Sequence, residues 1–149
     1  MTEIVIITSD IQTPADAVTA VRADAAAAMT GSDDSGIRII SAESEEAKKL
    51  CPSLITEDDA FELFGSEEDR SLMNIWHRKR NREFEGLPVR TASIWNDEYD
   101  RLTDSVRDAA ERYGRIMTPV VLAGGRIISS GRAAKPCELE KCVAEIMEN

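Results

Sequence analysis

Thr13 and Asp16 are the residues near the start of the chain that are best suited to chemistry, and they stand on either side of Pro14-Ala15. Proline favours the first position of a helix, so the segment predicts a helix that begins directly after Thr13. A threonine followed three positions later by an acidic residue is typical of a capping box. Capping is the commoner use of this pattern, and a catalytic role for Thr13 is the other interpretation.

The cysteines Cys51, Cys137 and Cys142 are the only thiols. Their odd number and irregular spacing argue against a disulfide framework, and no structural zinc site is predicted. On a helix, Cys137 and Cys142 would have Cα atoms about 8 Å apart, too far for a disulfide. Cys142 lies on an apolar stripe and is predicted to be a core residue. Cys137 lies near a helix start, where the pKa of a thiol can fall, so it is the candidate for a reactive thiol.

A basic run, Arg78–Arg82, follows the only histidine, His77. A lone histidine without other ligands at regular spacing is a weak metal or base candidate. The basic run can dock an acidic partner or a phosphate-bearing ligand. Its commoner role is that of a solvated helix C-terminus, where positive charge complements the helix dipole, and the acidic Glu67–Asp69 supports this interpretation. Trp76 and Trp95 are predicted to be core anchors.

The charge and the length of the chain limit its class. The net charge is −10 and the pI is about 4.6, which argues against binding to nucleic acid or to an anionic membrane surface. The first residues show neither a secretory signal nor a membrane span, so a cytoplasmic location is expected by default. A chain of 149 residues fits one domain.

The apolar pattern predicts strands and helices in alternation. The β-branched runs 4–7 and 37–40 are typical of buried strands, and the helix between them predicts a parallel strand–helix–strand unit. Residues 44–86 are predicted to form successive helices, 87–94 an extended edge segment, and 97–113 a long helix. The apolar stripe predicted for the first helix is Val18, Val21, Ala25 and Met29. The predicted N-caps in the helical region are Ser44, Thr56 and Ser66.

The end of the chain combines Thr118-Pro119, a short apolar strand, the turn Gly124-Gly125, a second strand and a final helix. This order resembles the second half of the thioredoxin fold. The segment Ser9–Asp16 resembles the strand end and the Cys-Pro-x-Cys of the DsbA-like branch, and the middle of the chain agrees with the insertion of that branch in its helical character. The resemblance implies an α/β fold, namely a thioredoxin-like three-layer domain with a central mixed sheet, a C-terminal β-hairpin after a cis-Pro position, and a helical insertion. It implies a single domain, 1–149, with a core at about 1–43 and 107–149. The helical insertion would then occupy about 44–106.

The resemblance also implies where a binding site would lie. The family carries Cys-x-x-Cys at the start of the first helix, where this chain has Thr13 and Asp16, so thiol–disulfide exchange is lost there. The leading hypothesis is a non-redox binding or adaptor module with no cofactor, in which the cis-Pro groove holds a protein or peptide partner. A homodimer is one assembly that fits. The implied groove residues are Thr13, Pro14, Asp16, Thr118 and Pro119.

Two alternatives use sulfur chemistry. Kappa-class glutathione transferases and chromene-carboxylate isomerases resemble the DsbA-like branch and hold a glutathione thiolate with a hydroxyl residue. The resemblance therefore implies a glutathione- or thiol-cofactor-dependent transferase or isomerase, in which Thr13 stabilises the thiolate. Asp16 argues against it, because a nearby carboxylate raises the pKa of a thiol. The other alternative is a thiol redox protein that acts through Cys137.

Overall fold

A mixed sheet of four strands forms the centre of the fold in this computed structural model, which describes residues 4–11, 13–29, 37–55, 65–86 and 97–148. The strands lie in the order β2-β1-β3-β4. β1 is parallel to β2, as predicted, and the other neighbouring pairs are antiparallel. The predicted α/β class is confirmed. The strands are β1 (Ile4–Thr8), β2 (Ile37–Ser41), β3 (Val120–Ala123) and β4 (Arg126–Ser130).

Helices occur on the described parts of the chain between and after these strands. They are α1 (Pro14–Met29), α2 (Glu45–Leu50), α3 (Glu67–Phe84), α4 (Asp97–Arg112) and α5 (Pro136–Glu148). The predicted caps Ser44 and Ser66 are confirmed, since each side-chain oxygen accepts a backbone hydrogen bond in the first turn of α2 or α3. The predicted cap Thr56, the predicted edge segment 87–94 and Trp95 lie outside the described residues. The predicted insertion boundary at residue 106 falls within α4.

The central strand β1 buries both of its faces, because successive side chains point to opposite sides of a sheet. Ile4 and Ile6 pack in one cluster with side chains of α1 and α5. Val5 and Ile7 pack in a second cluster on the other face, together with Ala47 of α2. β3 is also wholly buried, whereas β2 and β4 form the partly exposed edges of the sheet. Strands β3 and β4 are joined by the predicted two-glycine turn, where both glycines have positive φ.

The buried face of α1 differs from the predicted stripe. Val21 is 40% exposed and Ala25 is exposed, so the prediction is wrong at these two positions, while Val18 is buried. The helix instead buries a row of small side chains that includes Ala20 and Ala23. In a helix this rich in alanine, the few larger residues do not identify the inner face, because small side chains allow close packing against the sheet and α5.

A third cluster joins α3 to α4 through Trp76, Tyr99 and Val106. The Trp76 indole Nε1 donates a 2.7 Å hydrogen bond to the Thr103 hydroxyl oxygen, and the Trp76 ring stacks on Tyr99 with centroids 5.9 Å apart. The prediction that Trp76 is a core anchor is therefore confirmed. Cys142 is also a core residue, as predicted, in the cluster between the sheet and α5.

Candidate functional site

A cavity of about 270 Å³ opens at one end of the sheet, where β1 and β2 end and β3 begins. It lies between Ser9–Ile11 after β1, Ala42–Glu43 after β2, Met117 and Thr118 ahead of β3, and helix α3. Its apolar wall consists mainly of Ile11, Ile55, Met73, Trp76 and Met117. Its polar lining consists of Ser9, Asp10, Glu43, His77, Arg80 and Thr118. A mixed lining of this kind is typical of ligand sites, which combine apolar walls with a few polar groups.

The pairing of the strands brings these segments together. β1 and β2 are parallel, so the residues that follow them, Ser9–Ile11 and Ala42–Glu43, lie at the same end of the sheet. β1 and β3 are antiparallel, with Ile7 opposite Val120, so Thr118 lies at that end of the sheet as well. The Ser41 hydroxyl donates a 2.5 Å hydrogen bond to the Asp10 carboxylate and joins the first two segments. The Thr118–Pro119 peptide bond is cis.

Helix α3 supplies the cavity with a buried cation, Arg80, which is only 5% exposed. Its guanidinium carbon lies 5.2 Å from the centroid of the Trp76 ring, within the range of a cation–π contact. Its Nε and Nη2 also donate hydrogen bonds to the Asn81 side-chain oxygen, at 3.3 and 3.2 Å. His77 lies edge-on to Trp76, with ring centroids 4.9 Å apart. The wall on this side of the cavity is therefore aromatic and positively charged.

Thr13 and Asp16 form the capping box that the sequence predicts. Asp16 Oδ2 accepts hydrogen bonds from the Thr13 backbone N–H at 3.1 Å and from the Thr13 hydroxyl at 2.9 Å. The Asp16 N–H donates in return to the Thr13 hydroxyl oxygen at 3.4 Å. The Thr13 hydroxyl hydrogen is thus used within the box, where a thiolate would have to compete with the Asp16 carboxylate for it.

Asp16 is an acid enclosed by the protein, with 0% exposure. Burial removes water from the carboxyl group and raises its pKa from 3.8 to about 7. The hydrogen bonds from Thr13 and the positive charge of Arg80 lower the pKa of Asp16 but offset only part of this effect. Asp16 therefore interacts electrostatically with Arg80 of the cavity wall, and the carboxyl group of Asp16 can change its charge near neutral pH.

The structure separates the five residues predicted for the groove. Thr118 lines the cavity and is partly exposed. Thr13 is 7% exposed, and Pro14, Asp16 and Pro119 are also buried. None of these four lines the cavity, so a ligand held there would touch Thr118 and not the others. Their part in ligand binding stays a prediction.

The basic run does not behave as one solvated surface. Arg78 and Arg82 are exposed, as interpreted, but the interpretation is wrong for Lys79 and Arg80, which are 8% and 5% exposed. The inner face of α3 carries these two side chains toward α4 and the cavity, where Arg80 packs on Trp76. The four-residue spacing of Trp76 and Arg80 places them on one helix face and is the sequence signal that could have identified this wall.

Replacing Thr13 by alanine should lower the free energy of unfolding by about 0.5–2 kcal/mol, because the change removes the cap of α1 and a hydrogen-bond donor to buried Asp16. Thr13→Ser keeps the hydroxyl group and is the matched control, with a smaller expected loss. Urea unfolding of both variants at about pH 6 measures the difference. Equal losses in the two variants would show that the hydroxyl group contributes nothing to the box.

Among the described residues, no group of three or more His, Cys, Asp or Glu side chains is placed to hold a metal ion. Within the same ranges, no helix combines the length and the apolar character needed to cross a membrane. Fold and cavity together define an α/β protein with a mixed sheet and a small, partly polar pocket at one end of that sheet. No family model, curated protein or solved structure matches the chain.

Proposed function

We propose that this chain is a thioredoxin-like protein without a Cys-x-x-Cys pair that works as a non-redox binding module. The strand order and the mixed pairing support the thioredoxin-like assignment, as does the position of Thr118-Pro119 directly before β3. The partner would be an extended segment of a protein or peptide. Such a segment can bind by placing its backbone along an exposed edge and an alternate side chain in a pocket.

The observation that carries this proposal is the cavity with Thr118 in its wall. Its volume of about 270 Å³ is small, near the lower end of the range for ligand pockets. It suits one or two residues of a peptide better than a large cofactor. Ile11, Met73 and Met117 offer contacts for an apolar side chain, and methionine adapts readily to different shapes.

The thiols support a function without redox chemistry. Cys51 and Cys142 are buried, and burial raises the pKa of both thiols, which disfavours the reactive thiolate. Cys137 is exposed in the first turn of α5 and does not line the cavity. The hypothesis of a redox protein that acts through Cys137 stays a prediction.

A library of displayed random peptides, selected on the whole protein, should yield peptides that bind at the cavity. Thr118→Arg should weaken binding of the selected peptides at least about tenfold, because a long charged side chain from the wall fills the cavity. The dissociation constant of each peptide, measured by fluorescence anisotropy for the wild type and the variant, gives the ratio.

Ala28→Arg is the matched control, since it adds the same charge at an exposed position near the C-terminus of α1. It should bind the selected peptides as the wild type does. The proposal fails if selection enriches no peptide, or if the enriched peptides bind Thr118→Arg as tightly as they bind the wild type.

The glutathione alternative uses the same cavity. The Arg80 guanidinium in the wall favours it, because glutathione carries two carboxylates and arginine pairs well with them. The buried, hydrogen-bonded Thr13 hydroxyl weighs against it. Saturable changes in the Thr118 amide resonance during an NMR titration with reduced glutathione would favour this enzyme. Unchanged resonances at millimolar glutathione would reject the glutathione-dependent enzyme and favour the peptide-binding module.

A further inference from the structure

A second groove, of about 600 Å³, runs between α3 and α4. Ile75 is 47% exposed in this groove, although it is a large apolar side chain, and Leu102 of α4 lies beside it, partly buried. The charged residues of the lining are Arg78, Lys79, Arg82, Arg101 and Glu98. The groove is therefore positively charged around an apolar centre, in a protein whose net charge is −10.

Much of this positive charge is not neutralised within the described residues. Lys79 pairs with Glu98 at 3.3 Å and with Glu83 at 3.7 Å, and Arg82 Nε lies 3.5 Å from the same Glu83 carboxylate. Arg78 and Arg101 make no ion pair with any residue that the structure describes. An exposed isoleucine ringed by such cations is suited to an acidic surface that also offers an apolar side chain.

Helix α3 carries that complement itself. Glu68, Ile75 and Arg82 are exposed and are spaced seven residues apart. Seven residues are almost two full turns of an α-helix, so each of these side chains is rotated by only about 20° from the one before, and all three lie on one side of α3. If a second α3 lies antiparallel with Ile75 on Ile75, each Glu68 meets the partner's Arg82. Glu67 strengthens the acidic end, whereas Asp69 is already bound by Arg112 at 2.8 Å.

We propose that the groove between α3 and α4 is the interface of a homodimer, in which α3 of a second copy lies antiparallel over Ile75. The pairing is isologous, so each Glu68–Arg82 contact occurs twice and the assembly closes at two subunits. The partner is a second copy of this chain, because Glu68 lies as many residues before Ile75 as Arg82 lies after it. This surface is separate from the cavity at Thr118.

Two charge reversals and their mixture test this pairing. E68R and R82E should each weaken dimerisation at least about tenfold, because each replaces two attractive contacts by two repulsive ones. An equimolar mixture of the two variants should form a heterodimer, since the E68R chain then presents two arginines to the two glutamates of the R82E chain. Sedimentation equilibrium, with one variant carrying a fluorescent label, measures the homodimer and heterodimer constants.

D108R is the matched control, because it reverses an exposed charge on α4 outside the groove. It should dimerise as the wild type does. A wild type that stays monomeric at about 0.5 mM overturns the proposal, whether or not an acidic peptide binds the groove. A dimer that neither reversal weakens also overturns it, as does a mixture that forms no heterodimer. A folding defect in one variant cannot imitate the expected result, because heterodimerisation requires both chains to be folded.

Discussion

Raising the pH from about 5 to about 8 should lower the free energy of unfolding by about 3 kcal/mol through Asp16 alone. Burial raises the pKa of Asp16 from 3.8 to about 7 in the folded state, so the folded chain binds this proton more tightly than the unfolded chain. The stabilisation is complete below about pH 4 and is lost as the pH rises through 7. Urea unfolding across this interval measures the loss.

Asp16→Asn isolates this contribution, since asparagine keeps the shape and an acceptor oxygen for the Thr13 N–H but does not ionise. The variant should have a nearly flat profile and be more stable than the wild type at about pH 8. Asp24→Asn removes an exposed carboxylate from the same helix and should keep the wild-type slope. Among the described residues, Arg80 and Tyr99 are the other charged or titratable groups that interact with Asp16. Burial raises the pKa of Tyr99 above its ordinary value of 10, so the phenol stays neutral across this interval. A slope that persists in Asp16→Asn would assign the pH dependence to another group.

Replacing Trp76 by alanine should lower the free energy of unfolding by about 3–5 kcal/mol and abolish peptide binding at the cavity. Trp76 is 7% exposed and contacts both Tyr99 and Arg80. Its removal leaves a large void between α3 and α4, deprives Thr103 of a hydrogen-bond donor, and takes away the ring on which the Arg80 guanidinium rests. Circular dichroism during urea unfolding gives the stability, and anisotropy of a selected peptide gives the binding.

Ile127→Ala provides the comparison for Trp76→Ala. Ile127 is a large apolar residue of β4 that is 47% exposed, so its truncation should cost no more than about 0.5 kcal/mol. A variant that retains a folded signal allows binding to be measured even after a large loss of stability. If Trp76→Ala unfolds at nearly the same urea concentration as Ile127→Ala, the cluster between α3 and α4 contributes little to folding.

Much of the architecture could be predicted from short stretches of sequence. The β-branched run from Ile4 and the Gly124-Gly125 turn each encode their structure locally, and the caps Thr13 and Ser66 act within one helical turn. These features depend on neighbours in the chain, so their residue types are sufficient to identify them.

The cavity could not be predicted in the same way. Its walls bring Ser9, Ala42, Trp76 and Thr118 together from four distant parts of the chain. The burial of Arg80 likewise depends on how α3 lies against α4, which a basic run in the sequence does not encode. The resemblance directed attention to Thr118, which lines the cavity, but it gave no indication that a tryptophan and an arginine of α3 would form another part of the wall.

Strand β1 couples the register of the sheet to the geometry of the cavity. All five of its residues are buried, and the strand continues directly into Ser9–Ile11, which form one wall of the cavity. A slip of one residue against β3 would exchange the side chains that β1 presents to its two clusters, and it would displace the wall by about 3.4 Å relative to Thr118. The register that matches β1 to both clusters is therefore the same register that places Ser9–Ile11 opposite Thr118.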